Sequence, residues 1–151
     1  MKNFSSRRAA PSHQGSVAVE MAITLPIMVM LLTGLVWLAQ VFWYYSVMQK
    51  AAYDAARFLS TATPTEIATL GEGNTAAPIA RLAISIAEER TAVMDHITEG
   101  KLIDVDCDFR TCGLAIPATV RVSITMRMPL PLVADNTFML TSDVTMRYAG
   151  Y

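Results

Sequence analysis

Apolar and polar residues follow three rhythms along the 151-residue chain. From Met21 to Gln49 no charged side chain occurs, and apolar residues face every direction a helix could offer. Such a run predicts a helix whose whole circumference meets an apolar medium. At ~1.5 Å per residue it would reach about 44 Å, more than the ~30 Å hydrocarbon core of a bilayer. The rhythm then changes. Val47, Ala51, Ala55, Phe58 and Leu59 recur on one helical face, while Lys50, Asp54 and Arg57 take the other. The same helix therefore continues beyond the membrane as an amphipathic one, to about residue 60. Asp54 and Arg57 stand i, i+3, the spacing of a local ion pair. Thr63-Pro64 stops the helix, because the residue before a proline is pushed away from helical angles.

Residues 61–75, rich in Thr, Pro, Gly, Glu and Asn, read as a linker with one short turn around Glu66–Leu70. A second helix is expected over 76–97. Ile79, Leu82, Ala83 and Ile86 form its apolar stripe, Asn74 or Thr75 its cap, and Gly100 its stop. After that the period drops to two, the mark of half-buried strands. Over 102–109, Ile103, Val105, Cys107 and Phe109 oppose Asp104, Asp106 and Asp108. Over 118–128, Val120, Val122, Ile124, Met126 and Met128 alternate with Arg121, Ser123, Thr125 and Arg127. Over 137–148, Phe138, Leu140, Val144, Met146 and Tyr148 share a face, and Pro129 and Pro131 separate the last two strands. The expected fold class is α+β: a long N-terminal transmembrane helix, then a small domain with one amphipathic helix on a three-stranded antiparallel sheet. The chain divides into residues 1–15, a basic polar leader; 16–60, the long helix; 61–75, the linker; and 76–151, the α+β domain.

Charge refines this picture only locally. Lys and Arg total 12 against 13 Asp and Glu, a balance that argues against a nucleic-acid partner. Lys2, Arg7 and Arg8 precede the apolar run, so its N-terminal end is expected in the cytoplasm and everything after Lys50 in the periplasm, a single pass of the inner membrane. Trp37, Phe42, Trp43, Tyr44 and Tyr45 gather near the far end, where an interfacial aromatic belt belongs. A cleavable secretory signal is the bland alternative, but its apolar region is usually about 7–15 residues, and Leu38-Ala39-Gln40 makes a poor cleavage site. On the exported side, Cys107 and Cys112 are expected to form a structural disulfide, with free thiols as the competing reading.

Candidate chemistry is sparse. Asp104, Asp106 and Asp108 resemble the start of a calcium loop, yet Phe109 and Ala115 stand where such a loop needs glycine and glutamate. They read instead as a solvent face pairing with Arg121 and Arg127 across the strands. The methionines read as core filler, not copper ligands, and His13 and His96 are too remote to complete a zinc site with the cysteines. No nucleophile–base pair or phosphate loop is visible, so neither enzymatic activity nor a cofactor or metal is expected. Glu20 is different. A carboxylate at the mouth of an apolar helix costs roughly 2 kcal/mol or more by insertion scales, which makes it a functional candidate. It lies five residues after Gly15, with the basic leader on the other side of the glycine. A cut between Gly15 and Ser16 would create an amine that a neighbouring Glu20 could bind in a medium of low dielectric.

Several blocks carry a family resemblance: Gly15-Ser-Val-Ala-Val-Glu20, then Met21-Ala-Ile-Thr-Leu-Pro26, then Ala51-Ala-Tyr-Asp-Ala-Ala-Arg57. Leu140-Thr-Ser-Asp-Val-Thr-Met-Arg147 also looks like a family strand. The chain resembles the TadE-like minor pilins, or pseudopilins, of the tight-adherence (Flp, type IVc) pilus system. Where many relatives have Phe or Tyr after the glutamate, this chain has Met21. The resemblance implies cleavage after Gly15 by a prepilin peptidase, storage in the inner membrane, and a supporting role in pilus biogenesis and adhesion. Its implied partners are that peptidase, other pilins and minor pilins, an inner-membrane assembly platform and membrane lipid, with possible incorporation into an extracellular pilus. The competing class is an uncleaved single-pass inner-membrane protein whose periplasmic domain binds or scaffolds an envelope partner.

Overall fold

The computed structural model describes residues 14–71, 76–96, 100–129 and 137–150. The chain forms two compact units, Met1–Ala39 and Gln40–Tyr151. Helix α1 (Gln14–Ser60) supplies the described part of the first unit and continues into the second. Its apolar stretch is the one described helix long and apolar enough to cross a membrane, and from Val17 to Val36 every side chain is exposed. Hydroxyls on the helix are satisfied locally. Thr24 Oγ1 donates to the Glu20 carbonyl (2.7 Å), Thr33 Oγ1 to Val29 (2.8 Å) and Ser46 Oγ to Phe42 (2.9 Å). In an apolar medium, a hydroxyl without such a bond would be left unpaired at a cost of roughly several kcal/mol. Pro26 lies within the helix without ending it.

In the second unit α1 becomes a packing helix. Tyr44, Met48, Ala51, Ala52, Ala55, Ala56 and Leu59 are buried. The expected stripe holds at Ala51, Ala55 and Leu59, while Val47 and Phe58 are only partly buried. Tyr44, assigned above to an aromatic belt, is instead 4% exposed inside the core, whereas Phe42 and Trp43 remain exposed. Asp54 makes its ion pair with Arg90 (3.5 Å) and not with Arg57.

Helix α2 (Pro64–Ala68) occupies the expected linker. Thr63 accepts from the Glu66 N–H and Glu66 answers to the Thr63 N–H, a reciprocal cap that fixes Ile67 in the core. Helix α3 (Pro78–Thr91) starts with Pro at its first turn and Ala77 at its cap, so the cap is neither Asn74 nor Thr75, both outside the described residues. It ends at Thr91, followed by a 3-10 turn over Ala92–Met94, well short of Gly100. Its buried face is Ala80, Ala83, Ala87 and Thr91, and Leu82, expected inside, is half exposed.

The antiparallel sheet comprises β1 (Lys101–Cys107), β2 (Arg110–Thr111), β3 (Thr119–Pro129) and β4 (Thr137–Arg147), in the order β2-β1-β3-β4. It has four strands where three were expected, because the chain after β1 folds back into a two-residue strand that pairs Cys107 with Arg110. Phe109, expected on the inner face of the first strand, belongs to that turn and is 80% exposed. On the inner face Val105, Val120, Val122, Ile124, Met126, Met128 and Leu140 join the helix residues in one core.

The C-terminal residues close this unit. The Ala149 N–H donates to the Ser60 carbonyl (3.0 Å) and the Tyr148 hydroxyl to the Ala62 carbonyl (2.8 Å), so both serve carbonyls where α1 ends. Desolvation, with a smaller push from Glu66, raises the Tyr148 phenol above its ordinary value. Tyr148→Phe removes one such bond and is expected to lower stability by about 0.5–1.5 kcal/mol, measured as a lower urea midpoint in detergent.

Candidate functional site

Two places combine unusual residues with defined geometry. The first is the start of α1. Gly15 and Ser16 belong to its first turn, their side chains lying outside those described. Glu20 is exposed, one helical turn beyond Ser16 and on the same face. Around it Val17, Val19, Met21 and Ile23 are all exposed, so the carboxylate is one polar point on an apolar surface. No acidic residue occupies the helix's first turn. An amine created at Ser16 would add positive charge to the positive end of the helix dipole. Such an end attracts a carboxylate, whether from this chain or from another.

The second place is the hairpin at the sheet's outer edge. Cys107 and Cys112 are joined by a disulfide, with Cα atoms 5.0 Å apart. Between them Asp108 (φ 51°) and Phe109 (φ 60°) both adopt left-handed angles. Two such residues make the turn whose twist matches a two-residue hairpin, a position usually given to Asn-Gly or Asp-Gly. Phenylalanine there is strained, so something must hold it. The Asp108 carboxylate does so: it accepts from the Ala118 N–H (2.7 Å), the Thr119 N–H (2.8 Å) and the Thr119 hydroxyl (2.8 Å). These bonds hold its pKa below the ordinary carboxylate value. Beyond the disulfide, Gly113 has φ +115°, and a Cβ there would lie 2.9 Å from Leu70 Cδ2 and 3.3 Å from the Thr69 carbonyl. The Cys112 carbonyl accepts from the Ala77 N–H (3.0 Å), tying the hairpin to the start of α3. Phe109, Leu114 and Ile116 are exposed on this hairpin.

The three aspartates expected as one comb are divided. Asp108 leaves the strand to lock the turn, while Asp104 and Asp106 stay on β1. Asp106 lies opposite Arg121, as expected, but Arg127 lies opposite Met139 and pairs with none of them. Partial burial raises the Asp106 pKa, helped by Asp104 and opposed by Arg121. Arg121 also meets Asp143 (3.5 Å). Among the described residues no three His, Cys, Asp or Glu side chains are grouped to hold a metal ion. Sequence reasoning missed the turn-locking role of Asp108 because the alternation of the strand runs straight through it. The reciprocal Thr63–Glu66 cap was legible as Thr-x-x-Glu and was passed over as linker.

Residues 15–57 match the family model described as TadE-like protein. No curated protein and no solved structure matches the chain. The matched span starts at Gly15, contains Glu20 and ends at Arg57, three residues before α1 does.

Asp108 generates a pH prediction. Its folded pKa is depressed from the ordinary 3.8, so its stabilisation is fully present above that value and is lost as pH falls through the lower folded value. Asp108→Asn keeps a side chain that tolerates left-handed angles, but removes the charge and turns one of the two accepting oxygens into an NH2 that cannot accept from a backbone N–H. The thermal midpoint of the wild type should exceed that of the variant at neutral pH, and the gap should close in acid below the ordinary carboxylate range. An equal gap at every pH would show that the charge contributes nothing.

Proposed function

We propose, for a chain whose residues 15–57 match the TadE-like family model, that it is a minor pilin or pseudopilin of a tight-adherence pilus. The observation that carries this reading is Glu20, five residues beyond Gly15, on the exposed apolar first part of a 47-residue helix. A prepilin peptidase cuts between Gly15 and Ser16 and discards the basic leader. The precursor waits in the inner membrane with its leader cytoplasmic and the Gln40–Tyr151 unit periplasmic, consistent with Lys2, Arg7 and Arg8 before the apolar run.

The mechanism is electrostatic and needs no catalysis by this chain. Cleavage replaces a peptide nitrogen at Ser16 with a protonated amine. Within the apolar surroundings of packed helices, attraction between that amine and a carboxylate is several-fold stronger than in water. An unpaired Glu20 would be costly there, so a helix slides until its carboxylate meets a neighbour's amine. Glu20 thus sets axial register, while the apolar circumference lets the helix pass from lipid to neighbouring helices with little change of environment. The chain's contacts in this reading are the peptidase, other pilins, the assembly platform and lipid. Its role is to support biogenesis and adhesion.

Intact mass of the membrane-extracted protein tests the first step. Processed protein lacks Met1–Gly15, and Gly15→Leu should retain them, because the small residue before the cut is lost. Full-length mass in wild-type cells that contain the peptidase would overturn cleavage. For the second step, Glu20→Ala should be cut normally and reach the membrane, yet fail to enter sheared pilus fractions or to support piliation. Normal piliation by that variant would remove Glu20 from the mechanism.

A further inference from the structure

β4 forms one margin of the sheet, and among the described residues no strand lies along its outer side. One hydrogen bond shows which of its backbone groups point there. The Tyr148 N–H donates to the Ala118 carbonyl (3.0 Å), one step beyond the Thr119–Arg147 pair and directly opposite in register. Hydrogen-bonded pairs alternate along an antiparallel ladder. Phe138, Leu140, Ser142, Val144 and Met146 therefore turn their N–H and C=O groups toward β3. Thr137, Met139, Thr141, Asp143, Thr145 and Arg147 turn theirs outward. This edge has few of the usual defences against pairing. Its 11 residues keep continuous register with β3, and they include no proline, no lysine and a single carboxylate.

Ser142 supplies an independent observation. It sits at the middle of β4, 2% exposed, and its Oγ has no hydrogen-bond partner among the described residues. A buried hydroxyl without a partner is unusual and asks what would satisfy it.

We propose that β4 is a self-association edge, on which a second copy of this chain pairs antiparallel about a two-fold axis at Ser142. Two four-stranded sheets then become one continuous sheet. The sequence of β4 is complementary to itself in this register. Phe138 meets Met146 of the second copy, Leu140 meets Val144, Met139 meets Thr145, Thr141 meets Asp143 and Thr137 meets Arg147. Inner residues face inner residues, every residue of the strand is paired, and no like charges stand opposite. Ser142 faces Ser142 of the second copy as a non-hydrogen-bonded pair, the kind with Cα atoms about 4.5 Å apart, where two hydroxyls can bond across strands. Neighbouring registers fail. An axis at Asp143 sets two carboxylates against each other. An axis at Thr141 puts the Ser142 hydroxyl against Leu140 and drops Met146 and Arg147 from the ladder. Phe138 and Met139, 42% and 57% exposed on the single chain, would be partly covered.

Cysteine crosslinking of the full-length protein in detergent tests the register, with Cys107 and Cys112 left oxidised. Ser142→Cys should give a reducible dimer on mild oxidation, in roughly tenfold or greater yield than Thr141→Cys or Asp143→Cys, which do not face themselves across the axis. Met139→Pro removes an outward N–H that β3 does not use, so the fold should be retained by circular dichroism. In the Ser142→Cys background it should abolish the crosslink. Equal yields at the three positions overturn the proposal, as does a folded Ser142→Cys that stays monomeric, or a crosslink that survives Met139→Pro. Should Ser142→Cys perturb the fold, mixed Thr141→Cys and Asp143→Cys chains give the same reading: the mixture must crosslink where neither variant alone does, and no mixed product overturns the proposal.

Discussion

One helix has to satisfy two solvents. Over its first half α1 is apolar on every side and exposed on every side, which is stable only where the surrounding medium is also apolar. Over its second half the same helix buries a face built mainly from alanine: Ala51, Ala52, Ala55 and Ala56. Alanine offers little area but lets backbone come close, and α3 uses the same device with Ala80, Ala83 and Ala87. The sheet supplies the bulk in return, through Val120, Val122, Ile124, Met126 and Met128. Small residues on the helices facing large ones on the strands fill the space between layers to the density that a core needs.

The hairpin beside β1 shows a different kind of economy. A strained turn at Asp108 and Phe109 persists because several constraints agree: three hydrogen bonds to the carboxylate, the Cys107–Cys112 bridge, and the close fit of Gly113 against Leu70 and Thr69. Together they link the end of β1, the start of β3 and the entry to α3 through the Cys112 carbonyl.

Much of this fold is legible in the sequence, because the signals are long. The apolar run, the change to an amphipathic helix, and the period-two alternation of β3 each extend over many residues and point to one type of element. The losses have specific causes. Alanine carries so weak a hydrophobic signal that Ala52, Ala56 and Ala80 could not be told from filler, and Leu82 drew the predicted stripe of α3 the wrong way. Tyr44 looked like its aromatic neighbours, and only the tertiary core distinguishes it from Phe42. Asp54 found Arg90, far away in sequence, over a nearby arginine. Phe109 continued an alternation that the backbone had already abandoned. At the start of α1, the proposal for Gly15, Ser16 and Glu20 rests on spacing and not on periodicity.

The bonds at the end of α1 have a mechanical meaning. The Ala149 N–H and the Tyr148 hydroxyl grip the carbonyls of Ser60 and Ala62, so the last strand is fastened to the very point where the helix hands over to the rest of the chain. Tension applied along α1 then enters the sheet beside β4 through these clamps, and α2 with its flanking loops is shielded from the first extension. The end of the long helix and the last strand are thereby held to each other by backbone and side-chain bonds as well as by the core.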